Sequence, residues 1–368
     1  MADERKPRCL IAAGGTAGHV LPALAIADAL RERGAHVTFA GSPERAEARL
    51  VPEAGYELDT FRVSGLPRRP GVALARSVGR ALRAPLACRR ILERRRPGVV
   101  LGAGSYVGGP MVVAAASLRI PAALTEADAH LGLANRLAAP FARRVFLAFP
   151  LEGRADEKYR VTGRPVPARS RAWPREDARR RFGLPEEGRL LLVVGGSQGA
   201  RALNELAVEA FGERGPLVLH VCGEREHELL RGRVRRDDYV LVPFLDDVGA
   251  AYGAADLAVA RAGGSVWELA AAGLPAVLVP SPNVTADHQS KNARYFQQAG
   301  AAVVVPETDL GRVADLLRSL IDDPRRLEAM SFAMRMIARP DAADEIAEQL
   351  LDLAGAERPE GAVERTTA

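Results

Sequence analysis

Two glycine turns, Gly14-Gly15-Thr16-Ala17-Gly18-His19 and Gly195-Gly196-Ser197-Gln198-Gly199, each follow a short apolar run (Cys9 to Ala13; Leu190 to Val194) and each open a helical pattern. A turn so poor in side chains lets backbone N–H groups and a helix N-terminus meet an anion, which is the chemistry of phosphate binding. Two such turns half a chain apart imply two nucleotide-binding halves facing across a cleft. The spacing is not Gly-x-Gly-x-x-Gly, and the second strand ends at Gly41-Ser42 with no acid to hold an adenosine ribose, which argues against dinucleotide redox chemistry. His19 falls where the first helix begins. The positive end of a helix disfavours an imidazolium, so this histidine is expected to be neutral near pH 7 and suited to a general base; the alternative is a histidine that only donates to phosphate or caps the turn.

The elements that must carry these turns alternate along the chain. Strands are expected at Cys9 to Ala13, Val37 to Ala40, Val99 to Gly102, Ala122 to Thr125 and Val145 to Ala148, with helices at Pro22 to Arg33, Glu44 to Ala54 and Gly109 to Leu118. After a proline-marked, aperiodic linker from Leu151 to Arg175, strands resume at Leu190 to Val194, Leu217 to Cys222, Tyr239 to Val242, Leu257 to Ala260, Ala276 to Val279 and Ala302 to Val305. This is an α/β chain of two doubly wound parallel-sheet, Rossmann-like domains. Its 368 residues exceed what one core usually holds. The expected division is 1–163, 164–340, an amphipathic helix at 341–354 packing back on the first domain, and a disordered tail at 355–368.

Composition narrows the classes. Hydrophobic residues at 48% with 26% charged describe an ordinary globular chain, and 51 basic against 46 acidic residues is too slight an excess to indicate nucleic acid. Cys9, Cys88 and Cys222 are scattered without Cys-x-x-Cys spacing, so neither a disulfide framework nor a zinc site is expected and a reducing compartment fits. The charged segment Met1 to Arg8 runs straight into the first strand, so no signal peptide is expected, and no apolar run reaches membrane-span length. Asp246-Asp247 are expected to cap the following helix rather than to hold a metal.

Four motifs in order, Gly14-Gly15-Thr16-Ala17-Gly18-His19-Val20-x-Pro22, Gly104-Ser105-Tyr106-Val107-Gly108-Gly109-Pro110, Gly195-Gly196-Ser197-Gln198-Gly199-Ala200-Arg201 and Asp287-His288-Gln289-x-x-Asn292-Ala293, resemble the MurG family of peptidoglycan N-acetylglucosaminyltransferases in the GT-B superfamily. The resemblance runs from Leu10 to the C-terminal helix. It implies inverting, metal- and cofactor-free transfer of N-acetylglucosamine from UDP-N-acetylglucosamine to the C4 hydroxyl of a lipid-linked muramyl pentapeptide. By the same resemblance, His19 is the base. Gly15, Thr16, Ala17, Gly18, Ser105 and Tyr106, with Glu126, Asp128 and Asn135, shape the acceptor site. On the donor side stand Arg164, Ser197, Gln198, Gly264 and Ser265 at the diphosphate, Phe244 and Leu245 at uracil, Glu268 at the ribose, and His288 and Gln289 at the sugar hydroxyls. Glu268 is also open to a plainer reading, a carboxylate complementing the start of its own helix. The chain departs from the family pattern at Gly163-Arg164-Pro165-Val166-Pro167, which lacks the usual arginine after valine, at Thr125-Glu126-Ala127-Asp128 where His-Glu-Gln-Asn is usual, and at Ser105 in place of a glycine.

From Arg68 to Arg96 ten arginines face the single acid Glu93, and Leu74, Val78 and Leu82 recur every four residues opposite Arg76, Arg80 and Arg83. That is the pattern of a basic amphipathic helix on an anionic membrane surface, and of a solvated arginine face equally. The family's lipid-anchored acceptor favours a peripheral protein on the cytoplasmic face of the cell membrane. The competing readings are a related glycolipid glycosyltransferase, a UDP-N-acetylglucosamine 2-epimerase and a non-catalytic binding protein.

Overall fold

The computed structural model describes residues 6–63, 72–154, 156–196 and 199–355, with backbone alone for 72–82 and 285. Ser197 and Gln198, the tail beyond 355, Arg68 and Arg69, and the side chains of Leu74, Arg76, Val78, Arg80 and Leu82 lie outside the described residues. The first lobe comprises β1 (Arg8–Ala12), α1 (Ala17–Glu32), β2 (His36–Gly41), α2 (Ala46–Glu53), β3 (Glu57–Thr60), α3 (Val72–Arg95), β4 (Val99–Gly102), α4 (Ser105–Ser117), β5 (Ala122–Glu126), α5 (Leu133–Ala138), β6 (Arg144–Leu147) and β7 (Tyr159–Val161). The second begins with α6 (Arg175–Arg181), β8 (Leu190–Val194), α7 (Arg201–Phe211), β9 (Leu217–Val221), α8 (Glu224–Arg231), β10 (Tyr239–Val242) and α9 (Val248–Ala254). It continues through β11 (Leu257–Ala260), α10 (Ser265–Ala271), β12 (Ala276–Leu278), α11 (His288–Gln298), β13 (Ala302–Val304), α12 (Val313–Ile321) and α13 (Pro324–Ile337), before α14 (Ala342–Gly355).

All strand pairs are parallel. The first sheet runs β3-β2-β1-β4-β5-β6-β7 and the second β10-β9-β8-β11-β12-β13. Central strands such as β8, Leu-Leu-Leu-Val-Val, are buried along their whole length because helices cover both faces. In the first lobe α1, α2 and α14 cover one face and α3, α4 and α5 the other. In the second, α7, α8 and α12 lie on one side, α6, α9, α10 and α11 on the other, and α13 contributes to both.

Two contacts along the chain tie the lobes together. After β6, Phe149 seats in the second lobe's core, with ring centroids 5.1 Å from Trp267 and 5.4 Å from Tyr295. At the other end α14 returns to α1: Ile346, Ala347 and Leu350 join the first lobe's core, and Arg33 pairs with Asp344 at 2.8 Å and Glu348 at 3.2 Å. No helix among the described residues is long and apolar enough to cross a membrane.

Three local expectations need correction. β3 and β7 are strands that periodicity does not reveal, and β7 lies inside the segment read as linker. Both are short edge strands with one well-buried residue each, so they carry no alternation to read. α1 starts at Ala17 and α4 at Ser105, four or five residues before the expected starts, because both helices begin inside their glycine turns and keep Pro22 and Pro110 in the interior. Asp247 occupies the N-cap position of α9 without making a capping bond, and its Oδ1 is buried with no partner among the described residues.

Candidate active site in the interlobe cleft

In each sheet the strand order reverses beside its first strand, between β1 and β4 and between β8 and β11. Ligand sites in open parallel sheets form at the carboxyl ends of the strands at such a reversal. Here the segments that follow β1, β4 and β5 carry His19, Ser105 and Asp128, and those that follow β8, β11 and β12 carry Gly196, Gly264 and His288.

Arg164 stands between the two sets. It is 8% exposed and its guanidinium donates to the carbonyl oxygen of Gly18. That carbonyl is open because its helical partner four residues on is Pro22, which has no N–H. On the opposite side a methyl group at Gly264 would stand 2.4 Å from Arg164 Cζ, so the absence of a side chain there admits the guanidinium. Burial lowers the pKa of Arg164, while Asp128, Glu268 and Glu126 act to raise it. Among the described residues no carboxylate lies within ion-pairing distance of Arg164 and its side chain makes a single hydrogen bond, where a guanidinium has five donors.

His19 is the third residue of α1 and lines a pocket with Gly18, Glu126, Arg164, Phe146 and Ile346. Its pKa is lowered to about 4, first by burial and then by the charge of Arg164, with Asp128 opposing. The imidazole is therefore neutral at pH 7, chiefly because it is desolvated. Gly104, at φ 70°, packs against the ring: a methyl group on it would lie 2.7 Å from His19 Nδ1.

The remaining first-lobe residues divide into those at the cleft and those behind it. Thr16 and Gly18 are exposed and Ala17 is partly so, and Ser105 and Tyr106 approach Gly15, where a methyl group would meet their side chains at 3.7 and 3.8 Å. Gly15 itself, at φ 94°, turns its N–H inward to Glu47 Oε2 at 2.9 Å, so its contribution is conformational rather than a donor to a ligand. Glu47 also accepts from Ser42 N at 2.8 Å, bracing the glycine turn from beneath. Glu126 and Asn135 are correspondingly withdrawn. Glu126 Oε1 accepts from the N–H groups of Ala127 and Asp128, and Oε2 from Gly132 N and Asn135 Nδ2, both at 2.9 Å. Both side chains are buried, and their bonds shape the loop that carries Asp128, while Glu126 also lines the pocket beside His19 and Arg164.

Across the cleft, fully buried Asn292 joins the lobes. Its Oδ1 accepts from Ala129 N at 2.8 Å, and its Nδ2 donates to Asp128 Oδ1 at 3.0 Å and to Ala262 O at 3.2 Å. His288 opens α11 and lies parallel to His130 of the first lobe, centroids 6.1 Å apart. Gln289 Oε1 accepts from Ser281 N at 2.8 Å, so its amide nitrogen is the end left to face Gly263. Ser265 begins α10, Glu268 follows one turn on and accepts from Tyr252 Oη at 2.9 Å, Phe244 is exposed, and Leu245 packs on the core. Sequence reasoning missed Glu47, Gly104, Tyr252 and Asn292 as site-building residues. Of these only Asn292 and Gly104 had a signal, since both fall inside the quoted motifs.

Residues 9–147 match the glycosyltransferase family 28 N-terminal domain and residues 190–346 the glycosyltransferase family 28 C-terminal domain. A protein of Acidithiobacillus ferrooxidans named UDP-N-acetylglucosamine--N-acetylmuramyl-(pentapeptide) pyrophosphoryl-undecaprenol N-acetylglucosamine transferase is 44% identical over 365 residues, covering 96% of this chain and 99% of its own length. The crystal structure of Acinetobacter baumannii MurG superposes with a TM-score of 0.76 at 29% identity over 94% of this chain and 99% of that one. A UDP-N-acetylglucosamine 2-epimerase structure also superposes, with a TM-score of 0.66 over 97% of this chain and 99% of its own, but at 15% identity it shares the fold alone.

Proposed function

The chain belongs to glycosyltransferase family 28, and from that membership we infer that it transfers N-acetylglucosamine from UDP-N-acetylglucosamine to the C4 hydroxyl of an undecaprenyl-pyrophosphoryl-N-acetylmuramyl pentapeptide, with inversion, in peptidoglycan synthesis. The observation that carries this reading to the residues is the pairing of His19 with Arg164 in the cleft. A neutral imidazole and a buried, nearly unpartnered cation stand side by side.

The chemistry follows from that pairing. The acceptor O4–H gives its proton to the His19 imidazole as O4 attacks C1 of the donor sugar. The C1–O bond to the diphosphate breaks on the opposite face, and UDP leaves with the bonding pair. Negative charge grows on the departing diphosphate, where Arg164 donates to it together with the Gly264-Ser265 segment; fixed donors in a dry cleft stabilise such charge without reorganising. The imidazolium formed on His19 is disfavoured by the same burial that keeps it neutral beforehand, so it readily releases its proton. Glu268 accepts from the ribose hydroxyls, Phe244 and Leu245 flank the uracil, and His288 and Gln289 reach the sugar. Thr16, Ala17, Ser105, Tyr106 and Asp128 border the acceptor.

The lipid-linked acceptor calls for access to a membrane surface. Leu86 of α3, Leu133 and Leu137 of α5 and Phe141 just beyond it are 50–66% exposed, and exposed Arg83, Arg90 and Arg136 accompany them on the α3–α5 layer of the first lobe. An apolar, arginine-flanked surface suits peripheral contact with anionic lipid on the cytoplasmic face.

The test is incubation with UDP-N-acetylglucosamine and a polyprenyl-pyrophosphoryl-muramyl peptide, following UDP release and the disaccharide product. His19→Ala is expected to lower kcat by about 100- to 10,000-fold with UDP affinity retained. Undiminished turnover by that variant removes the base assignment, and absence of product from the native chain removes the acceptor.

A further inference from the structure

Building on the reading that Glu268 receives the donor ribose, we propose that Tyr252 is the positioning residue that aims this carboxylate and thereby sets selectivity for the ribose diol. Tyr252 lies on α9, 3% exposed, and its hydroxyl donates to Glu268 Oε2 at 2.9 Å. Among the described residues this is the only hydrogen bond either side chain makes. Burial first, and Glu268 second, hold the tyrosine pKa well above 10, so the hydroxyl remains a donor throughout the working pH range.

The geometry is specific in two ways. A glutamate in the first turn of a helix has several rotamers open to it, and an unanchored one must be ordered when the nucleotide arrives. Tyr252 removes that freedom beforehand by holding Oε2, which leaves Oε1 and the second lone pair of Oε2 for a vicinal diol. The tyrosine is itself immobile. α9 presents Gly249 and Gly253 to the linker backbone, where methyl groups would stand 2.0 Å from Arg171 O and 2.2 Å from Trp173 O. Arg164 lies on this same linker, N-terminal to both contacts. One rigid unit therefore sets both the cation at the diphosphate and, through Tyr252, the acceptor at the ribose.

The experiment is calorimetric titration of the full-length chain with UDP and with 2′,3′-dideoxyuridine diphosphate, for the native protein, Tyr252→Phe, Glu268→Ala and the double variant. The native chain is expected to prefer UDP, and Tyr252→Phe to bind UDP roughly tenfold more weakly. Its affinity for the dideoxy probe should be unchanged, and Tyr252→Phe added to Glu268→Ala should bring no further loss. A merely structural tyrosine would weaken both probes alike. Melting temperature by circular dichroism verifies that Tyr252→Phe, which removes a single oxygen, is folded. If the native chain prefers UDP and Glu268→Ala abolishes that preference while Tyr252→Phe keeps it, the tyrosine inference alone is overturned. If the native chain binds both probes equally, the ribose reading of Glu268 fails and takes this inference with it.

Discussion

The guanidinium of Arg164 donates to the carbonyl oxygen of Gly18, the carbonyl that Pro22 leaves without a helical donor. A proline in the first turns of α1 thus creates an acceptor at the cleft, and the linker between the lobes supplies the side chain that fills it. The consequence is a cation held beside His19 and against Gly264, with most of its donors uncommitted among the described residues.

Replacing Arg164 with Met should therefore raise KM for UDP-N-acetylglucosamine about 10- to 100-fold, the scale of a lost hydrogen bond to a charged group. It should also move a pH profile. Arg164 helps to lower the His19 pKa to about 4, so its removal raises that pKa, and the acidic limb of kcat/KM shifts to higher pH. An acidic limb that stays in place would mean that His19 is not the group titrating there.

Gly104→Ala should separate chemistry from binding. The new methyl group would fall 2.7 Å from His19 Nδ1, at a backbone φ of 70° that side chains rarely adopt. A kcat lowered about tenfold or more is expected, with UDP affinity close to native and a stability cost of about 1–3 kcal/mol. Native turnover by a folded variant would show that the imidazole has room to spare.

Asn292→Ala removes three interactions, two of them reaching the first-lobe loop at Asp128 and Ala129. Leaving buried partners unsatisfied costs about 1–3 kcal/mol each. Small-angle scattering should report a more open pair of lobes and steady-state kinetics a higher KM for both substrates. Identical scattering curves would reject the role of this asparagine as a latch.

Stability should fall with acid, for a reason visible in the second lobe. Asn204 Nδ2 donates to Cys222 O at 2.8 Å, so its Oδ1 accepts from His220 Nε2 at 2.9 Å, and His220 Nδ1 accepts from Tyr239 Oη at 2.8 Å. This fixes the neutral Nε2–H tautomer, and burial lowers the His220 pKa to about 3. Between its unfolded value near 6.5 and 3 the unfolded chain binds the extra proton. Folding free energy contributed by this group is thus complete above about pH 6.5 and is lost as pH falls toward 3, by up to about 1.4 kcal/mol per pH unit. Urea denaturation from pH 7 to 4 measures it, and His220→Gln should flatten the slope.

The exposed apolar surface of α3 and α5 yields a last expectation. Leu133→Ser, Leu137→Ser and Phe141→Ser together should reduce co-sedimentation with phosphatidylglycerol vesicles about tenfold or more, since each side chain contributes roughly 1.5–3 kcal/mol when buried. Activity on a short-chain, detergent-free acceptor should be retained. Vesicle binding equal to that of the native chain would place the lipid contact elsewhere.

Much of this architecture is legible in the chain itself. The glycine turns after β1 and β8 and the continuous apolar runs of the central strands are local patterns, set by allowed backbone angles and by burial on both faces, and they stand where periodicity put them. The edge strands β3 and β7 are not legible, because a strand covered on one side by a single neighbour needs no repeating apolar face. Membership of the family is likewise readable, since four motifs in fixed order leave little room for coincidence.

What the sequence alone determined is therefore the glycine turns, the central strands and the helices that follow them. Only tertiary structure decided how those residues divide their bonds. Glu126 and the N–H of Gly15 are consumed by protein partners, Arg164 is left with donors to spare, and the neutrality of His19 comes chiefly from burial, with its place at the start of a helix a secondary matter. The physical reason is range: backbone conformation responds to neighbours in sequence, whereas desolvation and hydrogen-bond completion depend on what packs alongside, here Gly18 with Arg164 and Asp128 with Asn292, brought together from 146 and 164 residues apart.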